Sequence, residues 1–331
     1  MTSPLINAGG LLLLPRLQVQ NVNAISGPLT WGFPSPTAFA GFVHALERRL
    51  RSETKAMEKG LDGVGIICHD FDPQIAQPSG RRTQVFRLTR NPVGKDGAPT
   101  ALVEEGRAHM EVSLLIAVKD ELGESDGERW ATLAHRVAQG MRLAGGSILP
   151  ARDGERHQAR WQPLPDHLDG QRETFSKLRR RLLPGFALVQ RDDLLVERLA
   201  ELRLHQAGAS ALDALLDLSR LNFEPTTANP DKPEEVLWQA RKRPGWLVPL
   251  AIGYAGISPR YQPGEVDNAR DQITPFRFVE SLYSLGEWVG PHRLENLQQL
   301  LWHTKEDTEN GIYRCINRYS ETSSITPAAS H

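Results

Sequence analysis

The stretch that decides the fold reads Leu11-Leu12-Leu13-Leu14-Pro15-Arg16-Leu17-Gln18-Val19-Gln20 and continues through a turn into a second element that reaches Arg49. Alternation of apolar and polar residues predicts a β-strand at its start. The apolar face of that strand carries Leu13, Leu17 and Val19, and the polar face carries Arg16, Gln18 and Gln20. Ser35 as N-cap and Pro36 at the first helical position predict the start of a helix. Its buried stripe is formed by Phe39, Phe42, Val43, Leu46 and Leu50.

Composition limits the class of protein. The 331 residues carry a formal net charge of -1 and are 40% hydrophobic, which excludes global disorder and a wholly basic nucleic-acid binder. The two cysteines, Cys68 and Cys315, are far apart and fit neither a zinc site nor a disulfide framework. No apolar run is long enough for a membrane span or a signal peptide. We therefore expect a cytoplasmic protein without membrane association.

The order of predicted elements is strand, helix, strand, hairpin, helix, strand, which favours an α+β, ferredoxin-like (RRM-related) domain over residues 1–150. Two alternating segments predict an inserted antiparallel β-hairpin at about 81–118. Residues 151–175 are polar and unpatterned, which predicts a surface insertion. Residues 176–319 predict further helices and strands, including a helix from Thr274 through Leu285, and 320–331 predict a disordered tail.

Two basic clusters are candidates for phosphate binding. The first lies on the predicted hairpin and consists of Arg81, Arg82, Arg87 and Arg90. An edge strand protected by charge is the alternative explanation of this cluster. The second cluster includes Arg179, Arg180 and Arg181, for which a solvated helix face is equally compatible.

Polar and aromatic residues near turns are further candidates. Arg142 precedes Gly145-Gly146-Ser147, a turn whose bare amides could approach a phosphate, although a plain helix-to-strand turn would have the same sequence. Trp31 and Phe33 could stack on a base or pack in the core. Arg16, Gln18, Asn21 and Asn23 could donate to base edges or phosphates, or simply face solvent.

Catalysis has little support in the sequence. The histidines form no HExxH or HxH motif, so neither a metal site nor a cofactor is expected. Arg107 and His109 lie on the polar side of a predicted strand, where they are candidate RNA contacts. In a metal-free ribonuclease the same pair could supply a general base.

Seven blocks resemble, in the same order, the second subunit of the type I-F CRISPR surveillance (Csy) complex, and the match spans roughly Leu11 to Arg314. The blocks are 29–36 (LTWGFPSP), 62–66 (DGVGI), 105–109 (EGRAH), 141–150 (MRLAGGSILP), 181–188 (RLLPGFAL), 244–249 (PGWLVP) and 285–288 (LGEW).

The resemblance implies a repeat-associated RNA-binding (RAMP) protein that is not a nuclease. Such a subunit holds the 5′ handle of the CRISPR RNA, pairs with the large subunit and contacts the adjacent backbone subunit. Target DNA is a further candidate ligand in the assembled complex. Candidates for the protein contacts are Trp246, Trp288 and Trp302, which could equally be core residues. Two alternatives stay open: a metal-independent endoribonuclease of the same superfamily that processes CRISPR precursor RNA, and a pure scaffold that touches only protein.

Overall fold

A large antiparallel sheet flanked by helices organises the chain in a computed structural model, which describes residues 5–54, 57–87, 92–100, 105–227 and 236–323. The strands are β1 (Gly10–Asn23), β2 (Ile25–Gly27), β3 (Thr30–Trp31), β4 (Leu61–Pro73), β5 (Ile75–Ala76), β6 (Val85–Phe86), β7 (Arg107–Val118), β8 (Arg142–Leu143), β9 (Gly146–Ile148), β10 (Arg160–Pro163), β11 (Phe186–Gln190), β12 (Phe223–Thr227), β13 (Val236–Ala240), β14 (Leu247–Gly256), β15 (Val279–Val289), β16 (Leu301–Asp307) and β17 (Ile312–Asn317). The α-helices are α1 (Pro36–Glu53), α2 (Glu124–Gln139), α3 (Leu168–Leu178), α4 (Asp192–His205), α5 (Ala211–Ser219), α6 (Leu297–Leu300) and α7 (Tyr319–Ser323). Short 3-10 helices span Glu155–His157, Arg179–Leu182 and Pro291–Arg293.

The centre of the sheet has the strand order β4, β7, β1, β9, and each neighbouring pair is antiparallel. Leu114 of β7 lies between its register partners Leu14 of β1 and Ile66 of β4. Helix α1 connects β1 to β4, and α2 connects β7 to β8 and β9. None of the helices in the described ranges is long and apolar enough to cross a bilayer.

Helix α1 confirms the prediction made from its sequence. It begins at Pro36, directly after the N-cap residue Ser35. Its predicted apolar stripe is buried, with Phe39 and Leu46 fully excluded from solvent. That stripe packs with apolar residues of β1, β4 and β7 in one continuous core, which fixes the helix on one face of the sheet.

A β-bulge changes the predicted assignment of faces on β1. The register with β7 shifts between Leu14 and Leu17, and Arg16 adopts a φ of 45° there. The extra residue reverses the alternation, so Leu13 faces the opposite core from Leu17. The predicted grouping of Leu13 with Leu17 and Val19 is therefore wrong, while Arg16 and Gln18 still face away from the α1 side.

Two predicted insertions are also corrected. The hairpin at 81–118 does not form as a pair, because β7 is a central strand between β1 and β4, whereas β6 pairs with β5. The segment 151–175 is not a surface insertion. Its strand β10 pairs with β1, and Trp161 is buried against Trp130.

The second half adds further helices and strands, as expected. However, β15 replaces the predicted helix over 274–285 and pairs with β14 and β11. The predicted tail at 320–331 begins inside α7, so residues 320–323 are helical, and the rest of that prediction lies outside the described residues.

Candidate nucleic-acid interface

One face of the central sheet is divided into an apolar half and a polar half. Leu11, Leu13, Leu115 and Ala117 form the apolar half and belong to a core that also contains Phe175 of α3 and Leu297 of α6. Further along β1 and β7 the same face becomes polar. We call this region the polar half; it is formed by Arg16, Gln18, Asn21, Arg107, His109 and Glu111. The structure thus brings together six polar side chains, five of which were predicted as site residues.

Arg16 is held by the protein itself. Its Nη1 donates to Glu111 Oε1 at 2.5 Å, its Nη2 donates to the Leu183 carbonyl at 3.4 Å, and its backbone N–H donates to Ser113 Oγ at 2.9 Å. The Arg16 side chain is only 11% exposed. Because its charge is already paired, Arg16 supports the polar half, and direct contact of Arg16 with RNA stays a prediction.

The carboxylate of Glu111 remains ionised because it is paired with Arg16. Burial acts to raise the pKa of this carboxyl, but the hydrogen bond and the charge of Arg16 outweigh that effect and hold the pKa below its ordinary value. Gln18 contributes as well, because its amide lies between Glu111 and Arg152. Oriented with its oxygen toward Arg152, that amide accepts from Nη2 at 2.5 Å and from Nε at 3.2 Å.

Asn21 and His109 form a second network at the outer end of the polar half. The Asn21 backbone N–H donates to His109 Nδ1 at 3.3 Å, and Gln74 Nε2 donates to Asn21 Oδ1 at 2.7 Å. The same Gln74 nitrogen lies 3.1 Å from His109 Nε2. Arg107 Nη1 donates to the Asn21 carbonyl at 3.4 Å, while its Nη2 contacts Glu105. Arg107 keeps about a third of its side chain exposed, so it can still reach a ligand.

The turn between β8 and β9 lies beside this network. The Asn23 N–H donates to the Ala144 carbonyl at 2.8 Å, and Ser147 pairs with Gln20 of β1. Gly145 is exposed at a φ of 78°, and a Cβ there would lie 4.0 Å from Arg107 Nη1. The exposed side chain of Asn23 makes two local bonds with Ile25: its Nδ2 donates to the Ile25 carbonyl at 2.8 Å, and its Oδ1 accepts from the Ile25 N–H at 3.1 Å. The candidates Asn23, Gly145 and Ser147 are therefore adjacent to Arg107.

Gly146 and Arg142 have different positions in that turn. A Cβ on Gly146 would lie 2.5 Å from the Gln20 carbonyl, so this buried glycine allows β9 to pack against β1, and its contact with RNA stays a prediction. Arg142 is exposed, and among the described residues its side chain makes a 3.5 Å contact from Nη1 to the Gly145 carbonyl.

The first basic cluster reaches the same end of the sheet. Arg87 donates its backbone N–H to the Gln74 carbonyl at 2.9 Å, which places β6 beside the Asn21 network. Arg81, Arg82 and Arg87 are exposed, and within the described ranges none of their guanidinium groups has an ion pair or a hydrogen bond. The fourth predicted member, Arg90, lies outside the described residues.

The two candidate stacking residues have different environments. Trp31 is 59% exposed and meets Phe86 edge-on at 5.7 Å between ring centroids. Phe33 instead stacks on Phe39 at 5.5 Å and meets Trp288 edge-on at 4.9 Å. Phe33 thus packs against the core, which was the alternative to a stacking role, whereas Trp31 is exposed to solvent; stacking on a base stays a prediction for both rings.

The second basic cluster also separates into two kinds of residue. Arg179 Nη1 donates to the Leu294 carbonyl at 2.5 Å and to the His292 carbonyl at 3.3 Å, so it links the segment after α3 to residues 292–294, and its contact with RNA stays a prediction. Arg180 and Arg181 are exposed beside a cavity that Arg156 and Arg160 also line.

Sequence reasoning missed three arginines of this region, Arg152, Arg156 and Arg160. They lie in the segment predicted to be an insertion, and their regular spacing of four residues was an available signal. Of the tryptophans predicted for protein contacts, Trp302 is 1% exposed and donates its indole N–H to the Leu188 carbonyl at 2.8 Å, so it is a core residue. Trp288 is half-buried, and Trp246 is exposed next to Phe186.

Over the ranges that the structure describes, no three His, Cys, Asp or Glu side chains are grouped so that they could hold a metal ion. His69, at the border of the polar half, contacts Ser113 Oγ and the Pro184 carbonyl at 2.6 Å each. Burial lowers the pKa of His69, which favours the neutral ring at pH 7.

Comparison with known proteins shows the family to which this chain is related. A family model described as CRISPR-associated protein (Cas_Csy2) matches residues 12–315. The CRISPR-associated protein Csy2 of Pseudomonas aeruginosa (strain UCBPP-PA14) is 53% identical over 311 residues, which cover 92% of this chain and 94% of that protein. The chain therefore belongs to the Csy2 family of CRISPR-associated proteins.

Proposed function

We propose that the chain is a non-catalytic RNA-binding subunit of a type I-F Csy complex, in which it holds the 5′ handle of the CRISPR RNA. The observation that carries the proposal is the group of unpaired guanidinium groups, Arg81, Arg82 and Arg87, next to the polar half. Single-stranded RNA is bound by cations that follow the phosphates and by planar groups that stack on bases. Trp31 supplies an exposed ring beside β6.

The topology supports a ferredoxin-like RAMP domain. The strands β1, β4, β7 and β9 correspond in chain order to the four strands of a βαββαβ unit, and their order in the sheet places the first and third strands at the centre. Helices α1 and α2 cover one face, which leaves part of the other face available for a ligand. RRM domains bind RNA on such a face.

The alternative of a metal-independent endoribonuclease has weaker support. A general base needs a ring nitrogen that can reach the 2′-hydroxyl of the substrate. Both ring nitrogens of His109 lie within hydrogen-bond distance of protein nitrogen atoms, from Asn21 and Gln74. His109 therefore fits a role in positioning Asn21 better than a role in proton transfer.

The proposed partners are the RNA handle, the large subunit of the Csy complex and the adjacent backbone subunit, with target DNA as a further ligand in the assembled complex. The exposed pair Phe186 and Trp246 is a candidate for protein contact, since apolar rings at a surface are favoured at interfaces. We propose the cytoplasm as the site of action.

The proposal is tested with the purified heterodimer of this chain and the large subunit. Arg82→Glu combined with Arg87→Glu should weaken binding of a labelled handle RNA and reduce its salt dependence by ~0.7 log unit per lost phosphate contact. The matched control is Arg48→Glu with Arg129→Glu, two exposed arginines on helices α1 and α2.

Three outcomes separate the alternatives. Unchanged RNA affinity in the double variant, with the heterodimer intact, would support the scaffold hypothesis and contradict ours. Equal losses in the test and control variants would show only a general charge effect. Cleavage of repeat-containing RNA that His109→Ala abolishes would support the endoribonuclease.

A further inference from the structure

A cavity of about 310 Å³ lies between the start of β1, the segment around the 3-10 helix Glu155–His157 and the segment after α3. Four arginines line it: Arg156, Arg160, Arg180 and Arg181. We call it the arginine pocket. Leu13, Pro15 and Leu183 contribute an apolar part of the lining.

The positive charge of the arginine pocket is largely uncompensated. Its lining contains one carboxylate, Glu155, whose side chain is 87% exposed and lies 3.4 Å from Arg160 Nη2. Such an exposed pair contributes little. Arg180 and Arg181 have no ion pair or side-chain hydrogen bond within the described residues. Four like charges in one cavity repel one another, and a bound anion would offset that repulsion. The arginine pocket is therefore a candidate anion-binding site.

Two arginines also carry unused hydrogen-bonding capacity. Arg160 Nε is shielded from solvent and has no hydrogen-bond partner in the described part of the chain. Arg156 Nη2 donates only to the Leu183 carbonyl, at 3.2 Å. A guanidinium group presents parallel N–H donors that match the oxygens of a phosphate. The free donors therefore favour an oxyanion with several acceptor atoms.

The arginine pocket is continuous with the polar half. The Leu183 carbonyl accepts from Arg156 and also from Arg16 Nη2, at 3.4 Å, so one backbone atom belongs to both regions. The apolar lining formed by Leu13 and Pro15 suits a ribose ring beside a phosphate better than a second charged group.

We propose that the arginine pocket holds one internal phosphodiester of the bound RNA, an inference that rests on the function proposed above. It adds a second point of attachment, formed by Arg156, Arg160, Arg180 and Arg181, to the contacts around β6. The two regions then fix the path of the strand across the sheet. Nothing in this site requires chemistry, because all four side chains act as hydrogen-bond donors and charges.

The test combines protein and RNA changes in the heterodimer. Arg180→Ala with Arg181→Ala removes two cations that have no partners in the described protein, so folding should be preserved. Loss of charged hydrogen bonds to one phosphate should weaken binding roughly tenfold and lower the salt slope by ~0.7. The control is Arg172→Ala with Lys177→Ala, two exposed cations on α3 that do not line the cavity.

Handle RNAs that carry a single methylphosphonate at successive positions locate the contact. One position should weaken binding to the wild-type protein and have no further effect in the Arg180→Ala, Arg181→Ala variant, because the two changes remove the same interaction. RNAs with a 5′-hydroxyl or a 5′-phosphate distinguish an internal phosphodiester from a terminal group. A loss that depends only on the terminal phosphate would overturn the proposal.

Two other results would contradict the proposal that the arginine pocket holds a phosphodiester. If the pocket variant keeps the affinity, the salt slope and the methylphosphonate sensitivity of the wild type, the inference is wrong. If it weakens the heterodimer and leaves RNA binding unchanged, the pocket binds protein instead. In both cases the proposed function stands as long as Arg82→Glu with Arg87→Glu still weakens RNA binding. Absence of RNA binding by the wild-type heterodimer would contradict both proposals.

Discussion

Replacing Glu111 by alanine should destabilise the folded chain by about 2–3 kcal/mol, since it leaves Arg16 with an uncompensated charge in the sheet. Removal of one partner of a fully buried ion pair costs ~3–5 kcal/mol. Here the two side chains are 11% and 15% exposed, and Arg16 keeps the Leu183 carbonyl at 3.4 Å. Both features reduce the penalty for leaving the arginine unpaired, so the expected loss of stability lies at or below the lower limit of that ~3–5 kcal/mol range.

A double-mutant cycle measures the coupling directly. Urea unfolding of the wild type, Arg16→Met, Glu111→Ala and the double variant gives four free energies of unfolding. We expect the double variant to be more stable than the sum of the single changes implies, by at least ~1 kcal/mol, because it leaves no isolated charge. Additive effects would refute the argument that this pair is a support of the polar half.

Three further predictions concern charge, stacking and packing. Glu111→Gln should be less stable than the wild type at pH 7. The difference in unfolding free energy should shrink as the pH falls below the ordinary pKa of a glutamate, because a carboxyl whose pKa is lowered by folding loses its stabilising effect when it is protonated. A difference that stays constant from pH 7 to pH 3 in urea titrations would contradict this. Trp31→Ala should weaken handle binding by ~1–3 kcal/mol in fluorescence anisotropy, with recovery in Trp31→Phe, if a base stacks on the exposed ring; equal affinities would exclude stacking there. Phe39→Ala should cost about 3–5 kcal/mol in unfolding free energy, because the ring is fully buried; a loss below ~1 kcal/mol would show that the site is poorly packed.

Local signals in the sequence were sufficient for the unit formed by β1 and α1. Ser35, Pro36 and the apolar stripe lie within a few residues of one another, and the helix begins where they predict. The bulge at Arg16 could not be read in the same way. Its φ of 45° depends on the register with β7, which is set by residues almost a hundred positions away.

Long-range pairing also explains the errors in the second half. Phe278, Leu282 and Leu285 have helical spacing, yet β14 and β11 supply strand partners on both sides of β15, and these partners decide its conformation.

The candidate site could likewise be predicted only in part from the sequence. Composition identified the arginine clusters, but only the folded chain shows that Arg16 and Arg179 are occupied by protein acceptors whereas Arg82 and Arg181 are free among the described residues.

Photo-crosslinking of handle RNA to the heterodimer, followed by identification of the crosslinked peptides, tests the central claim most directly. We expect crosslinks in 20–31, 74–87, 105–109 and 142–147, with a second group in 152–160 and 180–183. These segments surround the polar half and the arginine pocket. Crosslinks confined to α4, α5 and the β12–β13 hairpin would contradict the claim that this face of the sheet binds RNA.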